Sequence, residues 1–310
     1  MNKRMKRKLI QVAGKTMLVS LPAEWVKKYN LKKSEEIDLE EQGGRIVIST
    51  SKEYNIEKVK IDLREATERV IRWTLSALHK SGFDEIIIEH DKKETVKLIE
   101  ELIKDLFTGF TIIEQTKERC VLKSISKDQE SELDSALRRA FLVTISMGEE
   151  TLEAIKQGKF GDLKELAMKE RTNNQLTNFC ERILNKRGYK NYKKTNFMYV
   201  IAWNLEKICD NYNYICNLLK DAKKVKIGYD VIKLYESANE LFKEYYELFY
   251  KFDINRLSEL STKKKEIEKE TRKIMKGKNE IEVELIHHLL TIVSQTADFS
   301  ASTIALNQNY

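Results

Sequence analysis

Between Leu9 and Val26 the chain reads Leu-Ile-Gln-Val-Ala-Gly-Lys-Thr-Met-Leu-Val-Ser-Leu-Pro-Ala-Glu-Trp-Val. Two short β-favouring runs flank Gly14-Lys15, a pair suited to a tight turn, so the first half predicts a hairpin. Pro22 then presets a helical φ where no N–H is needed, and Glu24 complements the positive end of the helix dipole. A short helix over about 22–29 follows. Beyond it Glu36-Ile37-Asp38-Leu39-Glu40 alternates polar and apolar, Gly43-Gly44 supplies a turn, and Arg45-Ile46-Val47-Ile48 reads as a returning strand. The order β-β-α-β-β within so few residues buries too little apolar surface to stand alone, which predicts pairing with a second copy.

Charge is concentrated at the same end. The net charge of +7 would mean little if spread over 310 residues. Lys3, Arg4, Lys6, Arg7, Lys8 and Lys15, however, all precede the first acidic residue, Glu24. Such a field attracts phosphate backbones, and these residues are the candidate DNA contacts; a solubilising basic tail is the plainer alternative.

Working outward, residues 53–127 alternate strand and helix signals. A strand is expected around 56–61, a helix over 62–80 with Ala66, Val70, Trp73 and Ala77 at helical spacing, and a strand at 85–88. A helix over 92–107 and strands at 111–113 and 120–123 complete a small α/β domain. From Gln129 strand signals cease, and glycines at 158, 188, 228 and 277 punctuate six expected helices over about 130–157, 160–187, 195–220, 229–251, 254–276 and 280–307. Short links favour antiparallel packing. The fold expected is multi-domain and mainly α: residues 1–52, 53–127 and 128–310, the last as two three-helix repeats at about 129–220 and 228–310.

The third long helix carries an apolar seam of Ile201, Leu205, Ile208, Tyr212, Ile215 and Leu219, with Glu206, Asp210, Asn213 and Asn217 beside it. Oxygen side chains in such a row coordinate hard cations, or simply form the wet face of a helix. The four cysteines lack zinc-finger spacing and read as buried thiols. The adjacent His287 and His288 diverge around their helix and lack partners for zinc. No Gly-rich phosphate loop, nucleophile elbow or His-Glu-x-x-His occurs, so an enzyme reading has no residues to rest on. With no apolar run of the ~20 residues that spans a bilayer and none behind the basic N-terminus, neither membrane insertion nor a signal peptide is expected, and the expected location is the cytoplasm.

The segment from Gln11 to Ile48, above all Ser20-Leu21-Pro22-Ala23-Glu24-Trp25-Val26, resembles the AbrB/MazE (SpoVT-AbrB) swapped-hairpin DNA-binding domain. The resemblance implies a β-barrel-like homodimer gripping double-stranded DNA with basic residues. Where that family usually has Lys-Gly-Asp after its helix, this chain has Lys33-Ser34-Glu35, so Ser34 must adopt a turn conformation made more easily by glycine. The remainder is similar to archaeal PhoU-type proteins, through Glu206-x-x-x-Asp210 and the order of domains. That resemblance implies a divalent or iron-type metal ion, a role in phosphate uptake or sensing, and contacts with phosphate transporter or sensor proteins. Its metal pairs would fall on Glu170 with Asn174, Glu206 with Asp210, Glu266 with Glu270, and Ser294 with Asp298. Two amide or hydroxyl substitutions in that set leave less charge to offset cation dehydration. The expected function is a transcription regulator linked to phosphate uptake; the alternatives are an adaptor acting by protein contact without promoter binding, and an antitoxin-like repressor.

Overall fold

A computed structural model describes residues 6–12, 14–42, 44–50, 56–125, 132–222 and 225–308. The chain divides into two compact units, 1–57 and 58–310. The expected boundaries near 52 and 127 both fall outside the described residues.

In the first unit β1 (Ile10–Val12) and β2 (Thr16–Leu18) pair antiparallel with Gln11 opposite Met17, and Gly14 turns the chain at φ +77°. Helix α1 (Ala23–Lys28) follows Pro22, whose φ is −63°, with Glu24 in its first turn and Lys27 and Lys28 in its last. Strands β3 (Asp38–Gln42) and β4 (Arg45–Ser49) form the second hairpin, Glu40 opposite Val47. Ser34 sits at φ +67°, the left-handed turn expected of it.

The second unit is mostly helical and opens with a four-stranded sheet. Strands β5 (Lys58–Asp62), β6 (Glu85–Glu89), β7 (Phe110–Gln115) and β8 (Arg119–Ser124) lie in the order β5-β6-β8-β7. The β5–β6 pair is parallel and the others antiparallel, with α2 (Glu68–Lys80) and α3 (Lys93–Asp105) as the connections that parallel pairing and reversal require. The helix expected over 62–80 starts only at Glu68, since β5 runs to Asp62 and leaves Ala66 outside the helix, and its inward face is another one. Ile71, Leu75 and His79 are buried, whereas Val70 and Trp73 are exposed and Arg69 lies over the Trp73 ring.

The long helices are α4 (Leu133–Lys156), α6 (Lys169–Arg187), α7 (Thr195–Leu219), α8 (Tyr229–Tyr250), α9 (Ile254–Ile274) and α10 (Glu280–Leu306). The single helix expected over 160–187 is instead a 3-10 turn at Phe160–Asp162, a short α5 (Leu163–Leu166) and α6. Helices α4, α6 and α7 pack together, as do α8, α9 and α10, while α7 against α10 and α4 against α8 merge both sets. One apolar core results, running from Leu133 to Phe299 and containing the whole α7 seam. Gly148 permits this closeness: a Cβ there would stand 2.7 Å from Tyr212 Cζ. Asn279 and Glu282 form a capping box that starts α10, and Glu282 also accepts from the Gly228 N–H at 2.8 Å, fixing the start of α8 beside it. Among these six long helices α9 buries least, only Leu257, Leu260 and Thr271.

Sheet and helices are joined through α6. Arg182, fully buried, donates to the carbonyls of His79 (3.1 Å) and Phe83 (2.7 Å) and to Asp84 Oδ1 (2.8 Å), and lies over the Phe110 ring. Lys186 also donates to Asp84, and Asn185 to the Lys80 carbonyl. The contacts of Arg182 satisfy groups that burial would otherwise penalise.

Candidate functional site

The first unit shows an imbalance of surfaces. None of its described residues is buried, and Leu9, Ile10, Val12, Met17, Leu18, Leu39 and Ile46 are exposed. Isolated exposed apolar residues are ordinary, but a unit whose described apolar residues are at most half-buried leaves much of the hydrophobic stabilisation of its hairpins unmade. Of the expected DNA contacts, Lys6, Arg7 and Lys8 precede β1 and are exposed, and Lys15 is exposed in the β1–β2 turn. Lys3 and Arg4 lie outside the described residues. The hairpin therefore carries positive charge at its entry and at its tip.

The expected metal residues separate. Glu170 and Asn174 on α6 bond each other, the amide donating to Glu170 Oε1. They lie near Glu206 and Asp210 on α7: burial raises the Glu170 carboxyl above its usual range, and the charges of Asp210 and Glu206 raise it further. Asp210 is likewise raised, chiefly by burial. The cations in this cluster are the chain's own. Lys80 Nζ stands 2.8 Å from Glu181 Oε2 and 3.1 Å from Glu206 Oε2, and Lys207 Nζ stands 2.8 Å from Asp210 and 3.3 Å from Glu206. Burial alone would lower Lys80, but Glu206 and Glu181 outweigh it and hold the ammonium charged.

Glu266 and Glu270 lie elsewhere, lining a groove of about 430 Å³ between α8 and α9 together with Lys263, Lys269 and Lys273. Asp298 is exposed on α10 and Ser294 half-buried. Among the described residues no group of three or more His, Cys, Asp or Glu side chains is placed to hold a metal ion. His288 Nδ1 lies 3.0 Å from Asn211 Oδ1, and the four cysteines are buried and free.

Sequence reasoning missed Lys80, Glu181 and Arg182. Lys80 comes from the α/β segment, and no local pattern announces that it meets α7. Glu181 is fully buried, with Oε2 bonded by Lys80 and by the Tyr199 hydroxyl at 3.3 Å.

Residues 10–56 match a protein family described as antidote-toxin recognition MazE, bacterial antitoxin. That span takes in β1, β2, α1, β3 and β4, and it supports an AbrB/MazE-type domain at the N-terminus. No curated protein and no solved structure matches the chain. Among the described residues, no helix is long and apolar enough to cross a membrane.

Proposed function

We propose that the protein is a cytoplasmic DNA-binding regulator without catalytic activity, its N-terminal unit working as a homodimer. The observation that carries the reading is a unit with an exposed apolar hairpin surface, no buried residue among those described, and basic side chains at the start and tip of its first hairpin. A second copy interleaving its hairpins into a barrel supplies the missing core, and the two-fold symmetry duplicates Lys6, Arg7, Lys8 and Lys15 on one face. These neutralise phosphates and release counterions, a sequence-independent grip on double-stranded DNA. The helical unit is the part that receives a signal or a partner. The link to phosphate uptake, and to transporter or sensor proteins, rests on the resemblance of that region to PhoU-type proteins.

Occupancy of DNA across the genome by the tagged chain, in phosphate-replete and phosphate-starved cells, tests this alongside a chain lacking residues 1–52. Binding upstream of phosphate-transport genes that changes with phosphate and disappears with the deletion is the expected result. Occupancy that ignores phosphate removes the phosphate link alone; no occupancy in either condition, with a transporter subunit co-purifying, moves the function to an adaptor. The family description favours a second reading, an antitoxin-type repressor. A toxin that co-purifies with the full chain and is neutralised by it identifies that case.

A further inference from the structure

A cleft of about 480 Å³ opens at the end of the second unit where α4 starts and α8 and α10 finish. Met198, Phe249, Tyr250 and Leu306 line it as an apolar wall, and Ser135, Arg138 and Asn307 give it a polar edge. This combination of an apolar body and a few convergent polar groups is the usual form of a small-molecule site.

Arg138 decides what polarity suits the cleft. Its guanidinium lies 4.5 Å from the centre of the Tyr250 ring, a cation–π contact that orients it without using its charge on an acid. It forms no ion pair with a carboxylate among the described residues, in contrast to Arg182 or Lys80, which are fully engaged. Asp134 at the same edge is taken up by Lys190, 3.0 Å away. The link from α6 to α7 beside it adds Lys193 and Lys194 with no acidic residue between 188 and 196, and Lys194 donates to the carbonyl of Leu306, on the cleft wall, at 2.6 Å. Among the described residues, Arg138 and Lys194 thus supply positive charge at this edge beside the paired Asp134. Burial holds the Tyr250 hydroxyl protonated and able to donate.

We propose that this cleft binds a small amphipathic carboxylic acid, its hydrocarbon or aromatic body against Phe249, Tyr250, Met198 and Leu306 and its carboxylate on Arg138. The inference goes beyond the DNA-binding reading and stands whether or not that reading holds, since it concerns the helical unit alone. A fork of N–H donors meeting a carboxylate is directional and charge-assisted, whereas an amine of the same shape would meet the positive charge at this edge.

The test is calorimetric titration of the full chain with 4-phenylbutyrate and, separately, with 4-phenylbutylamine, in wild type and in Arg138→Gln. The expected result is saturable one-site binding of the acid, with the amine weaker by about tenfold or more and the variant weaker for the acid by a similar factor. Thermal melting of Arg138→Gln checks that the fold is kept, and Ser135→Phe, which fills the polar edge one helical turn from Arg138 and leaves the guanidinium in place, is expected to abolish acid binding as well. Absence of acid binding at millimolar concentration, equal binding of acid and amine, or acid binding unchanged by Arg138→Gln would each overturn the proposal. None of these measurements involves DNA, so their failure is distinct from failure of the DNA-binding reading.

Discussion

Arg182 Nη2 lies 2.8 Å from Asp84 Oδ1 with the arginine side chain fully buried, and this pair fastens α6 to the turn between α2 and β6. The same guanidinium accepts no water-exposed role: its other donors are spent on the carbonyls of His79 and Phe83. Removing it leaves Asp84, two carbonyls and the charge of Lys186 in a site with little solvent. Arg182→Ala is therefore expected to cost about 3–5 kcal/mol, because breaking one partner of a buried network leaves its remainder uncompensated. Urea denaturation of the full chain measures this. A loss within the ~0.5 kcal/mol typical of surface changes would mean that the sheet and the helices are not joined through this residue.

His79 lies in the same region with a different consequence. It is stacked on Phe107 at 4.7 Å and edge-on to Phe110 at 5.1 Å, and among the described residues neither ring nitrogen has a hydrogen-bond partner. Burial first, then the charges of Arg182 and Lys80, lower it from 6.5 to about 3. The unfolded chain takes up a proton near 6.5 while the folded chain stays neutral, so below that value the unfolded state binds more protons and stability falls as pH falls, down to about 3. His79→Phe removes this contribution and two unpaired polar atoms. Denaturation midpoints should be equal or higher at neutral pH, with a shallower decline towards acid; a decline as steep as that of the wild type would show that other groups set it.

These two residues also mark where sequence reading reaches its limit. The α7 seam from Ile201 to Leu219 was legible because apolar residues recur at steps of three and four with polar ones between, and every member is buried. The stripe of α2 was misread for the opposite reason. Its buried face ends in a histidine, and its most apolar-looking face carries Trp73, which remains exposed beneath Arg69. The interruption between α5 and α6 falls in a continuous helical pattern, without proline or glycine to mark it. At the acidic edge the carboxylates of Glu206 and Asp210 were readable, but Lys80, the counter-ion of Glu206, comes from another segment, and long-range charge pairing has no local signature.

Ser34, by contrast, was readable from a single departure from a turn pattern. At φ +67° its Cβ meets steric cost that glycine avoids. Glycine also gains freedom in the unfolded chain, which offsets part of the relief. Ser34→Gly is expected to stabilise the first unit by roughly 0.5–1 kcal/mol, the usual size of such a backbone effect. Thermal melting followed at the β-sheet band of the circular dichroism spectrum would detect it, and a lowered midpoint would contradict the turn assigned to Lys33-Ser34-Glu35.

The basic arm and the hairpin tip lead to a prediction that separates electrostatic gripping from base reading. If Lys6, Arg7, Lys8 and Lys15 neutralise phosphates, the logarithm of DNA affinity declines linearly with the logarithm of salt, by about 0.9 for each phosphate contact. In a homodimer, Lys6→Ala with Arg7→Ala and Lys8→Ala removes each contact twice, so the slope should become shallower by several units and affinity should drop for all sequences alike. Lys15→Ala, in the turn between β1 and β2, removes one contact per protomer and should change the slope by about two in the dimer. Both are measured by fluorescence anisotropy of a labelled duplex over a range of salt concentrations. A slope unaltered by the triple substitution would assign the arm to solubility or to a protein partner. An altered slope with Lys15→Ala silent would confine the phosphate grip to the segment that precedes β1.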